Sequence, residues 1–532
     1  MSGAALRAVA PVEDVGIPIK AADVRLGKDV LELLSTAMYV DPMVVFREYV
    51  QNAADSIETA QRAGVLSPAE RGEVQVTIDP LRRSVCLRDN GVAIPSERLL
   101  EIMVALGGSS KRGSGARGFR GVGRLAGLGH AQELVFRSRT EDHEAVAEVR
   151  WDCRVLKSAL ADRDFAGDVA DLIARVVTMI RRRPRDDEPP RFFEVELVRI
   201  VRGRSDKLLS PEAVSDYLAQ VAPVPFDDTF QFGKQIADRL RPLPGYLELD
   251  IRINGGPSLT RPHRNEVDLG GRSSRFEDVT FAEVPSQTGE GLAALAWFLH
   301  HGYEGALTVG TLVKGPRLRV GNLQVGDGTI LEDIFPETRF NAWSVGEVHV
   351  LDSRIIPNGR RDQFEPNIHY LNLSNHLSPM AKDIARRCRT SSARRSKLRD
   401  FDLTAEDVRG RLAVLQQGGL DDSARGLALA SVEAALLRME KVAGSDLLED
   451  TDRTELTARV ESLRRDVTAT VEAQSSGDPL DHLSTAERLF FERMFGLIYA
   501  HSLNRVAAKS LVDRVLEREV RRAPLNGGTS QS

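Results

Sequence analysis

Apolar side chains along this chain follow two periods, and the change from one period to the other divides the sequence into regions. Over residues 26–63 they recur every three or four positions, which predicts helix. Asp41 and Pro42 interrupt this pattern, and a new helix is expected to begin there, because proline is tolerated in the first turn of a helix. Later segments alternate apolar and polar residues, which is the period of a strand. These predicted strands are residues 74–78, 84–87, 133–138, 145–151 and 192–200.

The order of these segments predicts an α+β protein with three domains. Residues 1–202 form the first domain, with an insertion at about 163–190 that begins with a predicted helix at 169–180. Residues 203–378 form a second, α/β domain. Residues 379–532 return to three- and four-residue apolar spacing, which predicts a helical C-terminal region. The predicted strands of the second domain are residues 246–253, 293–300 and 346–351.

Composition and cysteine usage indicate the class of protein and where in the cell it is expected. The 532 residues are 42% hydrophobic and carry a net charge of -5, which is typical of a globular protein and gives no overall nucleic-acid signature. Cys86, Cys153 and Cys388 are far apart, so neither a disulfide framework nor a zinc site is predicted. The sequence lacks a signal-like N-terminus and an apolar run long enough to span a bilayer. We therefore expect a cytoplasmic protein with no membrane partner.

Three polar residues of the predicted helix at 26–63 share one face. Glu48, Asn52 and Asp55 stand at i, i+4 and i+7, while apolar residues occupy the other side. Alone, such a stripe is most often a solvated helix face.

Two glycine-containing motifs follow the helix. Asp89 ends a predicted strand before Asn-Gly, where its carboxylate can accept an amine such as that of adenine, and Gly91 lets the backbone approach a flat ring. Further on, a glycine-rich stretch leads into a predicted helix from Arg124, and backbone amides in such a stretch bind phosphate well. Lys111 adds positive charge there. Taken singly, these motifs are weak: the first is an ordinary turn, and the second lacks the ending of a P-loop.

Together, in this order and spacing, the three motifs resemble the GHKL ATPase superfamily, which includes gyrase, heat-shock chaperones, histidine kinases and MutL. The resemblance covers about residues 26–140 and implies a Bergerat-type α/β sandwich that binds ATP and Mg²⁺. It implies that Glu48 is the general base, that Asn52 holds Mg²⁺ and that Asp89 binds adenine N6. The other residues implied in ATP binding are Asp55, Gly91, Lys111, Gly118, Gly121, Val122 and Gly123. No His-containing phospho-acceptor helix precedes the motifs, so a histidine kinase is not expected.

Further segments resemble the ninety-kilodalton heat-shock chaperone (HtpG-like) family. The sequence around residues 346–365 is similar to that family's catalytic loop, in which an Asn is followed three residues later by an Arg; here these are Asn358 and Arg361. The resemblance implies that Asn358 contacts ATP and that Arg361 stabilises charge on the γ-phosphate from another domain. Arg360 is the neighbour most easily confused with Arg361. The alternative is a solvated arginine pair in a turn.

The chain departs from the family pattern at two positions near the expected base site. Ala93 stands where the second motif has its last glycine, and Phe193 lies where a late threonine is expected. The insertion and the C-terminal region also do not match. The sequence therefore indicates a divergent relative, with an ATP-driven closure of lid and domains that acts on an unknown protein client or partner.

Two other functions stay open: a DNA-transaction ATPase clamp of the MutL or MORC kind, and a partner-stimulated regulatory or defence ATPase. The basic run at 382–399 and the cluster at 181–185 favour nucleic acid, but the basic run reads more readily as a solvated helix end. An apolar stripe at 489–499 is more often core than interface. We nevertheless expect a homodimer, formed through residues 400–520.

Overall fold

The structure is a computed structural model, and it describes residues 27–32, 41–67, 70–106, 121–142, 144–165, 167–203, 206–474 and 477–520. Lys111 and Gly118 lie outside the described residues. The chain divides into two compact units, Met1–Ala385 and Arg386–Ser532.

Every strand among the described residues belongs to the first unit. Its helices are α1 (Asp29–Glu32), α2 (Val44–Arg62), α3 (Ser96–Val104), α4 (Cys153–Ala161), α5 (Val169–Val176), α6 (Pro211–Val221) and α7 (Gly233–Leu240). Its strands are β1 (Gly72–Asp79), β2 (Ser84–Asp89), β3 (Glu133–Arg139), β4 (Val146–Asp152), β5 (Val177–Arg182), β6 (Phe192–Val198), β7 (Leu249–Ile253), β8 (Glu266–Asp268), β9 (Ser273–Arg275), β10 (Asp278–Pro285), β11 (Leu292–His300), β12 (Arg317–Val320), β13 (Leu323–Val325) and β14 (Val345–Val350).

Seven strands form the larger sheet, in the order β5-β4-β3-β6-β2-β1-β7. All neighbours are antiparallel except β1 and β7, which are parallel. Because successive side chains of a strand point to opposite faces, one face of the sheet packs with the apolar side of α2 into a shared core. Phe46, Val50, Ile57, Leu134 and Val149 are among its fully buried members. The mixed α/β class predicted from the sequence is confirmed.

The segment at 163–190 differs from its prediction. The predicted helix at 169–180 ends at Val176, and β5 follows as an edge strand paired with β4. Val177 and Met179 pack against the core while Ile180 is exposed, so the segment alternates as a strand does. The β-branched run from Val176 to Thr178 explains the change, because such side chains favour strands over helices.

A five-stranded sheet follows, in the order β10-β11-β14-β12-β13. The strands predicted at 293–300 and 346–351 are its central pair, β11 and β14. The strand predicted at 246–253 does not join it: as β7, it extends the larger sheet beside β1. Fully buried Glu347 pairs with both Arg261 and Arg319, and Arg319 donates to the carbonyl of Gln220 at 2.6 Å. This network ties the second sheet to the end of α6.

The second unit is helical, as predicted. The second unit begins within the long helix α8 (Ile368–Gln417), and its described helices after α8 include α9 (Asp422–Ala443), α10 (Asp450–Gln474), α11 (Thr485–His501) and α12 (Arg505–Val515). The C-terminal half of α8 packs with α9 and α10 around a core that includes Phe401, Leu436 and Leu463. Within the apolar stripe at 489–499, Phe495 is fully buried, whereas Phe490 is 64% exposed. None of the described helices combines the length and the apolar character that crossing a membrane requires.

Candidate nucleotide site

The polar face of α2 is buried and does not face solvent. Glu48 is 7% exposed and Asp55 is 4% exposed, which is unusual for carboxylates unless they serve a site or are paired. Together with Asn52 they line a cavity of about 780 Å³ in the first unit. A cavity of this size suits a small-molecule ligand or cofactor. The solvated-stripe interpretation of this helix face therefore does not hold.

Asp89 reaches the same cavity from the end of β2. Its Oδ1 accepts a hydrogen bond from the Gly91 N–H at 2.9 Å, which fixes the carboxylate at the strand end. Gly91 packs against α2 so closely that an added Cβ would lie 2.1 Å from the Ser56 Oγ. Glycine is therefore required at this position, and the turn brings the second motif into contact with the first.

The departure at Ala93 has a structural cost. Ala93 has a φ of +58°, in the left-handed region that favours glycine. The next residue, Ile94, is held at both its N–H and its carbonyl by the Ser138 hydroxyl, at 2.7 and 2.8 Å. The turn thus keeps a glycine-like conformation although its residue carries a methyl group.

The departure at Phe193 shapes the cavity wall. Phe193 lies directly across from Asp89 in the β2–β6 pairing, and its ring stacks 6.3 Å from that of Phe136. Both rings line the cavity. The wall beside Asp89 is therefore aromatic where the family pattern leads one to expect a hydroxyl.

The third motif packs against the Glu48 carboxylate of α2. Gly121 has a φ of +69°, and a Cβ on Gly123 would lie 2.3 Å from the Glu48 Oε2. Val122 lines the cavity between them. The helix predicted from Arg124 is a 3₁₀ helix, Gly123–Gly129, anchored by the Tyr49 hydroxyl, which accepts from the Gly127 N–H at 3.0 Å.

A loop more than three hundred residues downstream closes the cavity from another side. Pro357 and Phe364 pair as a β-bridge, and inside this loop the Asn358 side chain donates to the Asp362 carboxylate at 2.6 Å. Asn358 and Arg361 both line the cavity that Glu48 lines. Arg361 is 8% exposed.

The loop distinguishes Arg361 from its neighbour Arg360. Arg360 is half-exposed, pairs with Asp362 at 3.3 Å and does not border the cavity. Arg361 has a φ of +55°, and its carbonyl accepts from the Gly326 N–H at 2.9 Å. A strained conformation held in place by neighbours is typical of functional loops.

Arg47 is a residue of the site that sequence reasoning missed. Its Nη2 donates to Glu48 Oε1 at 3.2 Å and to the Arg360 carbonyl at 2.8 Å, while Nη1 donates to the Arg361 carbonyl at 3.3 Å. One buried guanidinium thus joins the candidate base to the arginine loop. Two of its acceptors are backbone carbonyls, which leave no signal in the sequence.

Asn52 is suited to a divalent cation only together with a ligand. Its amide oxygen is a hard donor, of the kind that Mg²⁺ prefers. The described residues contain no group of three His, Cys, Asp or Glu side chains that could hold a metal alone. Because Mg²⁺ usually keeps several waters and binds substrate phosphates, an ion at Asn52 is compatible with a nucleotide site.

Comparisons with known proteins agree with this geometry. Residues 40–162 match the family described as histidine kinase-, DNA gyrase B-, and HSP90-like ATPase. Chaperone protein HtpG of Verminephrobacter eiseniae is 25% identical over 198 residues, which cover 34% of this chain and 29% of that protein. HtpG of Albidiferax ferrireducens gives the same values. HtpG of Shewanella baltica is 25% identical over 201 residues, covering 35% of this chain and 30% of its own length.

The resemblance predicted from the sequence is confirmed by these matches. They span less than a third of the relatives' length, so they support an ATPase and not a specific chaperone function. The roles of the individual site residues stay predictions.

Proposed function

We propose that this chain, a GHKL superfamily protein that resembles a divergent HtpG-like member, hydrolyses ATP with Mg²⁺ and couples hydrolysis to a protein client or partner. The observation that supports this most is that Glu48 and Arg361 border one cavity, although they are more than three hundred residues apart in sequence. A base and a cation that border one cavity are the two kinds of group that assist phosphoryl transfer to water.

Hydrolysis assigns a separate task to each of these side chains. The Glu48 carboxylate takes the proton of the attacking water, a contribution of typically 10²- to 10⁴-fold in rate. The Arg361 guanidinium donates to the γ-phosphate oxygens as negative charge develops on them. An arginine in this role contributes about 10³- to 10⁵-fold. Arg47 holds the two groups in register through its contacts with Glu48 and the carbonyl of Arg361.

Binding is assigned to the remaining cavity residues. Asp89 accepts the exocyclic amine of adenine, and the Gly91 turn, which packs against Ser56 of α2, holds that carboxylate at the cavity. Asn52 holds Mg²⁺, which neutralises phosphate charge when bound. Asn358 contacts the nucleotide from the downstream loop. Lys111 and Gly118, which lie outside the described residues, also contact the phosphates in this proposal.

The proposed cycle has two steps. Bound ATP closes the lid and the domains over the nucleotide, which brings Arg361 against the phosphates. Hydrolysis then reopens the lid and the domains. The work is done on a protein client or partner, by a homodimer joined through residues 400–520. Nucleic-acid binding is the alternative that we do not favour, since Arg394 in the basic run pairs with Asp452 and Glu449. Filter binding of duplex DNA over a salt series tests this alternative, since phosphate contacts give a steep salt slope.

Asp89→Asn tests the nucleotide assignment. Asparagine keeps an oxygen to accept from the Gly91 N–H but presents an amide in place of the carboxylate. Titration calorimetry with ATP and Mg²⁺ should then show no binding, while thermal unfolding stays near that of the wild type. Unchanged ATP affinity in the folded variant would exclude Asp89 as the adenine acceptor.

A further inference from the structure

Arg124 lines the nucleotide cavity but has no task in the mechanism above. It directly follows Gly123 at the start of the 3₁₀ helix Gly123–Gly129. Its backbone is fixed, because its carbonyl accepts from the Tyr49 hydroxyl at 3.3 Å. Burial lowers the pKa of its guanidinium to about 10, so the side chain remains a cation near neutral pH.

The charge of Arg124 lacks a counterion among the described residues. Its Nη2 donates to the carbonyl of Ala105, and its Nε has no hydrogen-bond partner. No carboxylate of the described residues pairs with it, in contrast to Arg47, which pairs with Glu48. Partial burial of a guanidinium with only a neutral partner is unfavourable. Such a residue is stabilised when an anion enters the cavity.

The position of Arg124 indicates which part of the cavity its guanidinium serves. Its neighbour Gly123 touches the Glu48 carboxylate, as shown by the 2.3 Å separation of an added Cβ from Oε2. Asp89, the predicted adenine acceptor, is contributed by β2, a different element of the fold. If Glu48 activates water, the phosphates lie on the Glu48 side. A planar guanidinium with free N–H donors matches phosphate oxygens in geometry as well as charge.

We propose that Arg124 is a phosphate ligand of this site, and that it binds phosphate oxygens of the nucleotide from the first domain. The proposal rests on the function proposed above and adds a residue to it. The Ala105 carbonyl orients the guanidinium before the ligand arrives, so little side-chain freedom is lost on binding. Arg124 thereby favours nucleotides over nucleosides independently of the downstream loop that carries Arg361.

The test compares ATP with adenosine, which has the same base but no phosphate, on the full chain in the presence of Mg²⁺. Arg124→Gln keeps a donor for the Ala105 carbonyl and removes the charge. ATP affinity should fall roughly 10- to 100-fold, the range expected for a charge-assisted hydrogen bond, while adenosine affinity stays within about twofold. Arg124→Lys keeps the charge but not the planar set of N–H donors of the guanidinium, and should lose only part of the ATP affinity.

Arg182→Gln is the matched control. Arg182 is another partly buried arginine, but it lies on the edge strand β5, pairs with Glu188 and does not border the cavity. This variant should bind ATP as the wild type does. If Arg124→Gln does not fold, the ratio of ATP to adenosine affinity in Arg124→Lys decides, and a ratio equal to that of the wild type overturns the proposal.

Two outcomes separate this proposal from the one on which it rests. Wild-type ATP affinity in Arg124→Gln, or an equal loss for ATP and adenosine, overturns the phosphate contact alone. A wild-type protein that binds neither ATP nor adenosine overturns the nucleotide site as a whole.

Discussion

Gly326 holds the arginine loop in place, and replacing it with alanine tests whether the position of Arg361 matters for hydrolysis. Gly326 follows β13, has a φ of +67° and donates its N–H to the Arg361 carbonyl at 2.9 Å. An added Cβ would lie 2.6 Å from the Ile330 Cδ1 and 2.9 Å from the carbonyl oxygen of Asp362. The Ile330 methyl can rotate away, but the Asp362 carbonyl belongs to the backbone of the loop itself.

The size of the effect follows from this contact. Non-bonded atoms rest near about 3.5 Å, so the loop must move by roughly 0.5 Å to accept the methyl group. A misplacement of about 1 Å near reacting groups can cost on the order of 10²-fold in rate, so we expect kcat to fall about 10-fold in Gly326→Ala. The affinity for ATP should change little, because the other cavity residues are untouched. Left-handed alanine also lowers stability by about 1–2 kcal/mol.

Gly255→Ala is the control for that loss of stability. Gly255 has a φ of +70°, but an added Cβ would meet nothing within 4 Å. It should therefore show a similar drop in the free energy of unfolding, measured with urea, without a drop in kcat. Steady-state kinetics on both variants, with ATP affinity measured separately, gives the comparison. Equal kcat values in the two variants would refute the idea that the loop must be held at its present position.

Three further predictions address other parts of the account. Ala93→Gly removes left-handed strain of about 1–2 kcal/mol but adds glycine's flexibility, so urea unfolding should show a net gain of about 0.5 kcal/mol; a loss would mean that the methyl packing matters more. Arg47→Ala releases the link between Glu48 and the loop, so kcat should fall much more than ATP affinity; an unchanged kcat contradicts the link. Burial alone would raise the pKa of Glu188, but its hydrogen bond from Arg182 and the N–H of Arg185 lower it to about 2. Ionised Glu188 thus stabilises the fold above about pH 4.5, and this contribution is lost as the pH falls toward 2. In Glu188→Gln the free energy of unfolding should therefore depend less on pH in that window.

The sequence predicted the parts of the fold and site that depend on local periodicity. The helical spacing placed Glu48, Asn52 and Asp55 on one face, and the structure shows that face lining a cavity. The alternating segments around Asp89 became β1 and β2. Arg361 is predicted by resemblance alone, since no local pattern links it to a helix more than three hundred residues earlier.

The rest depended on long-range contacts. The position of β7 in the first sheet comes from parallel pairing with β1, which leaves no trace in either segment alone. The apolar spacing of residues 169–180 fits a helix and a strand alike. The β-branched residues of this segment favour the strand, which is why the predicted helix ends early. Arg47 was missed because it recognises backbone carbonyls. The sequence predicts Arg124 only as a helix start, although its position as a charged residue directly after the last glycine of the third motif is a signal for phosphate binding.

Replacing Glu48 tests most directly whether the cavity hydrolyses ATP with Glu48 as the base. ATP turnover and ATP binding should be measured side by side in Glu48→Ala and the wild type, with Mg²⁺ present. We predict that turnover falls at least about 100-fold in the variant while ATP affinity stays within a few-fold of the wild type. Full turnover in Glu48→Ala would contradict the account.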